Sequence, residues 1–123
     1  MSKKVLYIED NIHNRILVKR VLEAEGYQVM EAENGSDGIT LATNISYDLI
    51  IVDINLPDID GYEVTKYLRN LPQTAKTPIL AMTASVMQTD LEMTLTAGCD
   101  GYIRKPIDID LLPQQIAEYI SRK

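Results

Sequence analysis

Disulfides, membrane spans and nucleic-acid contacts all need residues that this sequence has in short supply. Its lone cysteine, Cys99, cannot form an internal disulfide, which fits a reducing compartment. No unbroken apolar run exceeds that from Leu49 to Val52, far below the ~20 residues needed to cross a bilayer. Met1-Ser2-Lys3-Lys4 leads straight into a strand-like run with no signal-peptide cleavage site, so a cytoplasmic location away from membranes is expected. Lysine and arginine are outnumbered 12 to 18 by aspartate and glutamate. The formal net charge of −6 argues against nucleic acid, whose phosphates are held by clustered positive side chains. No Gly-x-x-x-x-Gly-Lys loop is present, which removes a GTPase. The acidic residues form no long block, and several follow directly on apolar runs.

What is present is an alternation of two periods. The 123 residues, 46% hydrophobic, suit a single domain over residues 1–123 with one core and no output module. Short apolar runs occur at Val5–Ile8, Tyr27–Met30, Leu49–Val52, Ile79–Met82 and around Tyr102–Ile103. Between them, helical spacing marks Leu17, Val21 and Ala24, then Ile39, Ala42 and Thr43, then Val64, Tyr67 and Leu68. It continues at Met87, Leu91 and Leu95, and at Leu112, Ile116 and Ile120. Gly26, Gly61 and Gly98 fall where helices should end or begin, and Pro78 precedes a strand. Five strand–helix units imply an α/β, doubly wound (βα)5 flavodoxin-like fold, with a five-stranded parallel sheet covered on both faces. Right-handed crossovers make 2-1-3-4-5 the most economical strand order, one already known for this fold class.

Ligands of such sheets sit beyond the carboxyl ends of the strands, where the strand order reverses. Strand one ends in Glu9-Asp10, strand three in Asp53, strand four in Thr83-Ala84, and strand five leads to Lys105-Pro106. Neighbouring strands one and three would bring Glu9, Asp10 and Asp53 together, where their repulsion calls for a positive partner. Hard oxygen donors suit Mg²⁺, and Lys105 would add a fixed charge. This set fits phosphoryl transfer, in which the protein mainly positions groups and neutralises charge. Asp53, ending the most buried strand, is the candidate covalent acceptor, forming an aspartyl phosphate. Glu9 and Asp10 would hold the metal directly or through water. Lys105 and Thr83 would each contact a phosphoryl oxygen.

With these residues in view, the chain resembles a receiver domain of the two-component response-regulator family, with a CheY-like fold. The resemblance rests on Val5-Leu6-Tyr7-Ile8-Glu9-Asp10-Asn11, on Asp53-Ile54-Asn55-Leu56-Pro57 leading to Asp60-Gly61, on Met82-Thr83-Ala84, and on Ala97-Gly98 through Tyr102, Lys105 and Pro106. Within the family, the stretches from Glu9 and from Asp53 to Leu68 are most similar to single-domain regulators and phosphorelay receivers. The resemblance implies Asp10, Asp53 and the backbone carbonyl of Asn55 as direct ligands of Mg²⁺, or of Mn²⁺ in its place, with Glu9 acting through water. It implies a cis peptide between Lys105 and Pro106, and Tyr102 as an aromatic switch responding to Thr83. It also implies a phosphoacceptor rather than an enzyme, a histidine kinase or histidine phosphotransfer protein as donor, and a downstream target on the face of helix four, strand five and helix five, including Tyr119. Ile12, Arg15 and Val18, with the Pro106 loop, form the expected donor-docking face.

Rival chemistries fit less well. A flavodoxin-like cofactor protein needs a Ser/Thr/Gly-rich loop after strand one, where this chain has Glu9-Asp10-Asn11-Ile12. A haloacid-dehalogenase phosphatase needs its Asp-x-Asp pair on the first strand, whereas Asp53-Ile54-Asn55 follows the third. A receiver-like scaffold that has lost phosphorylation should lack Asp53, Thr83 or Lys105, and all three are present. Asp58 and Asp60 read as turn residues, with Asp60 capping helix three. His13 reads as a solvated surface residue, Cys99 as a packed one, and Met82, Met87 and Met93 as core or interface fillers.

Overall fold

The computed structural model describes residues 2–84 and 87–121. Five strands and five helices alternate: β1 (Lys4–Ile8), α1 (Ile12–Ala24), β2 (Gln28–Ala32), α2 (Gly35–Asn44), β3 (Leu49–Asp53), α3 (Gly61–Arg69), β4 (Ile79–Thr83), α4 (Gln88–Ala97), β5 (Gly101–Arg104) and α5 (Leu112–Ser121). The sheet is parallel throughout, in the order β2-β1-β3-β4-β5. β3 and β4 are buried along their whole length, while β5 at one edge alternates buried and exposed positions. That contrast is what double coverage of a central strand requires.

Because successive strand side chains face opposite ways, the sheet divides the core into two clusters. Val5, Tyr7, Leu49, Ile51, Leu80, Met82 and Ile103 pack with Val18 and Leu22 of α1 and with Leu112, Ile116 and Ile120 of α5. Leu6, Ile8, Ile50, Val52, Ile79 and Ala81 pack against Ala42 of α2 and Val64 and Leu68 of α3. Side-chain caps start the first three helices: Asn11 accepts from the Asn14 N–H, Asn34 from Asp37, and Asp60 from Tyr62. Asp60 therefore caps α3 as its sequence position suggests. α4 ends at Gly98, whose φ of 111° favours glycine.

Four helices depart from their expected faces: Thr43 of α2 and Tyr67 of α3 are exposed, and α1 and α4 differ further. α1 buries Arg15, Val18 and Leu22 instead of Leu17 and Ala24, with Val21 only partly covered. α4 buries Thr94 and Ala97, while Met87 and Leu95 point outward. Met82 is a core residue, but Met87 and Met93 are exposed. Among the described residues, no helix is long and apolar enough to cross a membrane.

Candidate functional site: an acidic pocket with one lysine

Strand register builds the pocket. Val5 to Ile8 of β1 pair with Leu49 to Val52 of β3, so continuing the register sets Glu9 beside Asp53. Tyr7, Glu9, Ile51 and Asp53 occupy alternate positions and share the face covered by α1 and α5. Carboxylate oxygens of Glu9, Asp10 and Asp53 all lie within 4.8 Å of one another. Glu9 and Asp53 are buried and Asp10 is exposed, so the group opens to solvent on one side.

The lysine arrives from the far end of the chain. Lys105 Nζ lies 2.7 Å from Asp53 Oδ2 and 3.3 Å from Glu9 Oε1. The Lys105-Pro106 peptide is cis. Asp53 Oδ1 accepts the backbone N–H of Asn55 at 2.9 Å, so each Asp53 oxygen has a donor. The Asn55 carbonyl, expected as a ligand, belongs to this same turn. Thr83 is buried at the end of β4, and its carbonyl accepts the Lys105 N–H at 2.9 Å, which places it at the strand end between Asp53 and Lys105. Tyr102 is partly exposed on β5, paired with Ala81.

The electrostatics follow from this crowding. Burial pushes the Glu9 carboxyl above the usual carboxylate range and the adjacent Asp53 adds to it, while Lys105 and the Tyr7 hydrogen bond pull it down. Burial alone would lower the Lys105 ammonium, but its hydrogen bond to Asp53 and the nearby carboxylates outweigh that and hold it above the ordinary lysine range. Burial, then the Glu9 charge, drives the Tyr7 phenol far above its usual range. The donor set, all oxygen and clustered at an open edge, fits a hard divalent cation such as Mg²⁺.

Some expectations need correction. Arg15 and Val18 cannot form an exposed docking face, because both are buried. Val18 is core, and the Arg15 guanidinium donates to the carbonyls of Glu9 at 2.8 Å and Asp10 at 3.0 Å and pairs with Glu33 at 3.1 Å. Ile12 remains exposed, and Ile16 one turn on joins it. Asp58 lies apart from the cation group and accepts the N–H groups of Gly35 and Ser36 at the start of α2, 2.8 and 2.9 Å away. His13 is exposed, and Cys99 is buried against Thr65. Sequence reasoning missed Tyr7, Asn14 and Arg15 as supports of the acidic loop. The available signals were the two-residue spacing of Tyr7 from Glu9 and the positions of Asn14 and Arg15 in the first turn of α1.

A five-stranded parallel sheet in the order 2-1-3-4-5 that gathers three carboxylates and a lysine at the carboxyl ends of its strands has the architecture of the CheY-like class of signalling domains. The chain belongs to the response regulator receiver domain family, whose model matches residues 5–117. It is 38% identical over 121 residues to the polar-differentiation response regulator DivK of Brucella anthropi, covering 98% of each chain, and 37% identical to that of Brucella ovis. Among solved structures it is similar to the chemotaxis response regulator CheY4 of Vibrio cholerae, with a TM-score of 0.93 and 29% identity over 97% of this chain and 99% of that one. It is also similar to the receiver domain of a Pseudomonas aeruginosa sensor histidine kinase, with a TM-score of 0.91 and 31% identity over 98% and 99% of the two chains. That relative has a magnesium ion coordinated in its active-site cleft.

Proposed function

We propose that this receiver takes a phosphoryl group onto Asp53 and reports the event through protein contacts. The observation that carries the reading is the buried Asp53 carboxylate, 2.7 Å from Lys105 Nζ and grouped with Glu9 and Asp10 at the open end of the central strand. An Asp53 oxygen attacks the phosphorus of a phosphohistidine whose ring is protonated. A P–O bond forms, the P–N bond breaks, and its electron pair returns to the imidazole, which leaves neutral. Lys105 neutralises charge on a phosphoryl oxygen, and the Thr83 hydroxyl donates to another. Asp10, Asp53 and the Asn55 carbonyl, with Glu9 through water, would hold Mg²⁺ or Mn²⁺, which when bound supplies further charge neutralisation. The chain acts in the cytoplasm as a phosphoacceptor that assists its own phosphorylation and dephosphorylation, not as a turnover enzyme.

The donor is a histidine kinase or histidine phosphotransfer protein, docking on exposed Ile12 and Ile16 beside the Pro106 loop. The response is read on the α4–β5–α5 side, where Leu91, Leu95, Tyr102, Leu111 and Tyr119 line a groove of about 720 Å³. Thr83 moving toward the phosphoryl group and Tyr102 turning inward would reshape that groove. The test is incubation with acetyl phosphate and Mg²⁺ followed by intact-mass measurement. One phosphoryl group should be gained, and none with chelator or in Asp53→Asn. Undiminished labelling of Asp53→Asn would overturn the reading.

A further inference from the structure

β1 carries a hydroxyl that its packing role does not require. Tyr7 is fully buried among aliphatic side chains, where phenylalanine would fill almost the same space without a polar group to satisfy. Its hydroxyl lies 3.0 Å from Glu9 Oε1 and 3.2 Å from Met82 Sδ. It has one proton, and the carboxylate is the stronger acceptor, so the sulfur is a packing neighbour. Met82 is on β4, on the far side of β3 from β1, so the ring reaches across β3 beneath the acidic pocket.

The two oxygens of Glu9 differ in their surroundings. Oε1 also receives Asn14 Nδ2 at 3.1 Å and Lys105 Nζ at 3.3 Å, giving three donors on one atom. Among the described residues, Oε2 receives only the Asn11 N–H, at 3.4 Å. We propose that Tyr7 is a positioning residue for the cation site, pinning Glu9 Oε1 from the core side so that Oε2 stays available to a bound cation or its waters. Partners that orient a ligating carboxylate from behind commonly set metal affinity as strongly as some ligands do. The proposal rests on the acidic group being a cation site, and its test separates the two claims.

The measurement is the Mg²⁺ dissociation constant of the full, unphosphorylated chain by titration calorimetry, for wild type, Tyr7→Phe, Glu9→Gln and the double variant. Wild type should bind, and Tyr7→Phe should bind about 10-fold more weakly, the lower end of the range for such supporting partners. In the Glu9→Gln background that factor should vanish, because Tyr7 acts through Glu9. An undiminished factor there would assign the effect to general packing and overturn the proposal, as would wild-type affinity in Tyr7→Phe. A wild type that does not bind Mg²⁺ would overturn both claims. If Tyr7→Phe does not fold, tyrosine difference absorption on adding Mg²⁺ decides the matter. A signal in wild type that is missing in Glu9→Gln supports the proposal, and a flat wild-type spectrum overturns it.

Discussion

Lys105 Nζ and Asp53 Oδ2 meet at 2.7 Å although 52 residues separate them in the chain. The contact joins the ends of β3 and β5 across β4, and it sets a positive charge against a cluster of three carboxylates. Lys105→Met should therefore destabilise the metal-free protein by roughly 1–3 kcal/mol, less than the ~3–5 kcal/mol of a fully buried pair because Lys105 is part exposed. Urea denaturation with chelator measures the loss. Added Mg²⁺ should recover part of it, since ligands that bind only the folded state stabilise it. A variant as stable as wild type in chelator would show that the ion pair contributes nothing to the fold.

Arg15 supports the same pocket from underneath. Its Nη1 donates to both the Glu9 and Asp10 carbonyls while Nη2 pairs with Glu33, so the two arms of the fork serve different partners. Arg15→Ala should cost roughly 2–3 kcal/mol, because carbonyls lose their donors in a partly buried loop. Arg15→Lys, which keeps a cation but lacks the second nitrogen that pairs with Glu33, should restore only part of it. Glu33→Ala removes only the exposed partner of the same guanidinium and should cost under about 1 kcal/mol. Equal losses for Arg15→Ala and Glu33→Ala would place the energy in the ion pair instead of the carbonyl bridge.

That arginine also marks where the sequence stopped being legible. The strands could be read because β1, β3 and β4 are continuous apolar runs, and each run ends on a chemically distinctive residue: Glu9, Asp53 or Thr83. α5 could be read because Leu112, Ile116 and Ile120 are the residues it buries. α1 could not, since its inner face includes a charged side chain whose burial is offset by carbonyls three-dimensionally, not sequentially, adjacent. At α4 the apolar residues Met87 of the N-cap, Met93 and Leu95 face outward, and the small Thr94 and Ala97 are the residues it buries. Periodicity finds apolar stripes, but it cannot tell a core stripe from one left for a partner.

Gly61 is a spacing requirement. A Cβ there would stand 2.6 Å from Ile54 Cα and would also meet the Asp53 carbonyl oxygen, and neither is a flexible side-chain end that could move aside. The start of α3 must therefore separate from the loop that follows Asp53 in Gly61→Ala. The expected cost is about 1–3 kcal/mol, the range for overpacked sites. Phosphorylation by acetyl phosphate should slow as well, because the Asn55 N–H that holds Asp53 Oδ1 lies in the displaced turn. A Gly61→Ala protein with wild-type melting and labelling rate would remove this constraint.

Asp58 gives a pH dependence that lies outside the acidic pocket. The backbone N–H of Ser36, then that of Gly35, holds its carboxyl below the usual carboxylate value. Its folded pKa therefore lies below its unfolded pKa of about 3.9. A group depressed in this way adds stability above its unfolded pKa and loses it as pH falls through the folded one. The gap in melting temperature between wild type and Asp58→Asn should stay constant from neutral pH down to about pH 5 and narrow below about pH 4. Thermal melts across that range, run with chelator to keep the cation site out of the comparison, check it. A gap that widened on acidification would mean that the charged form of Asp58 is not the one that holds the start of α2.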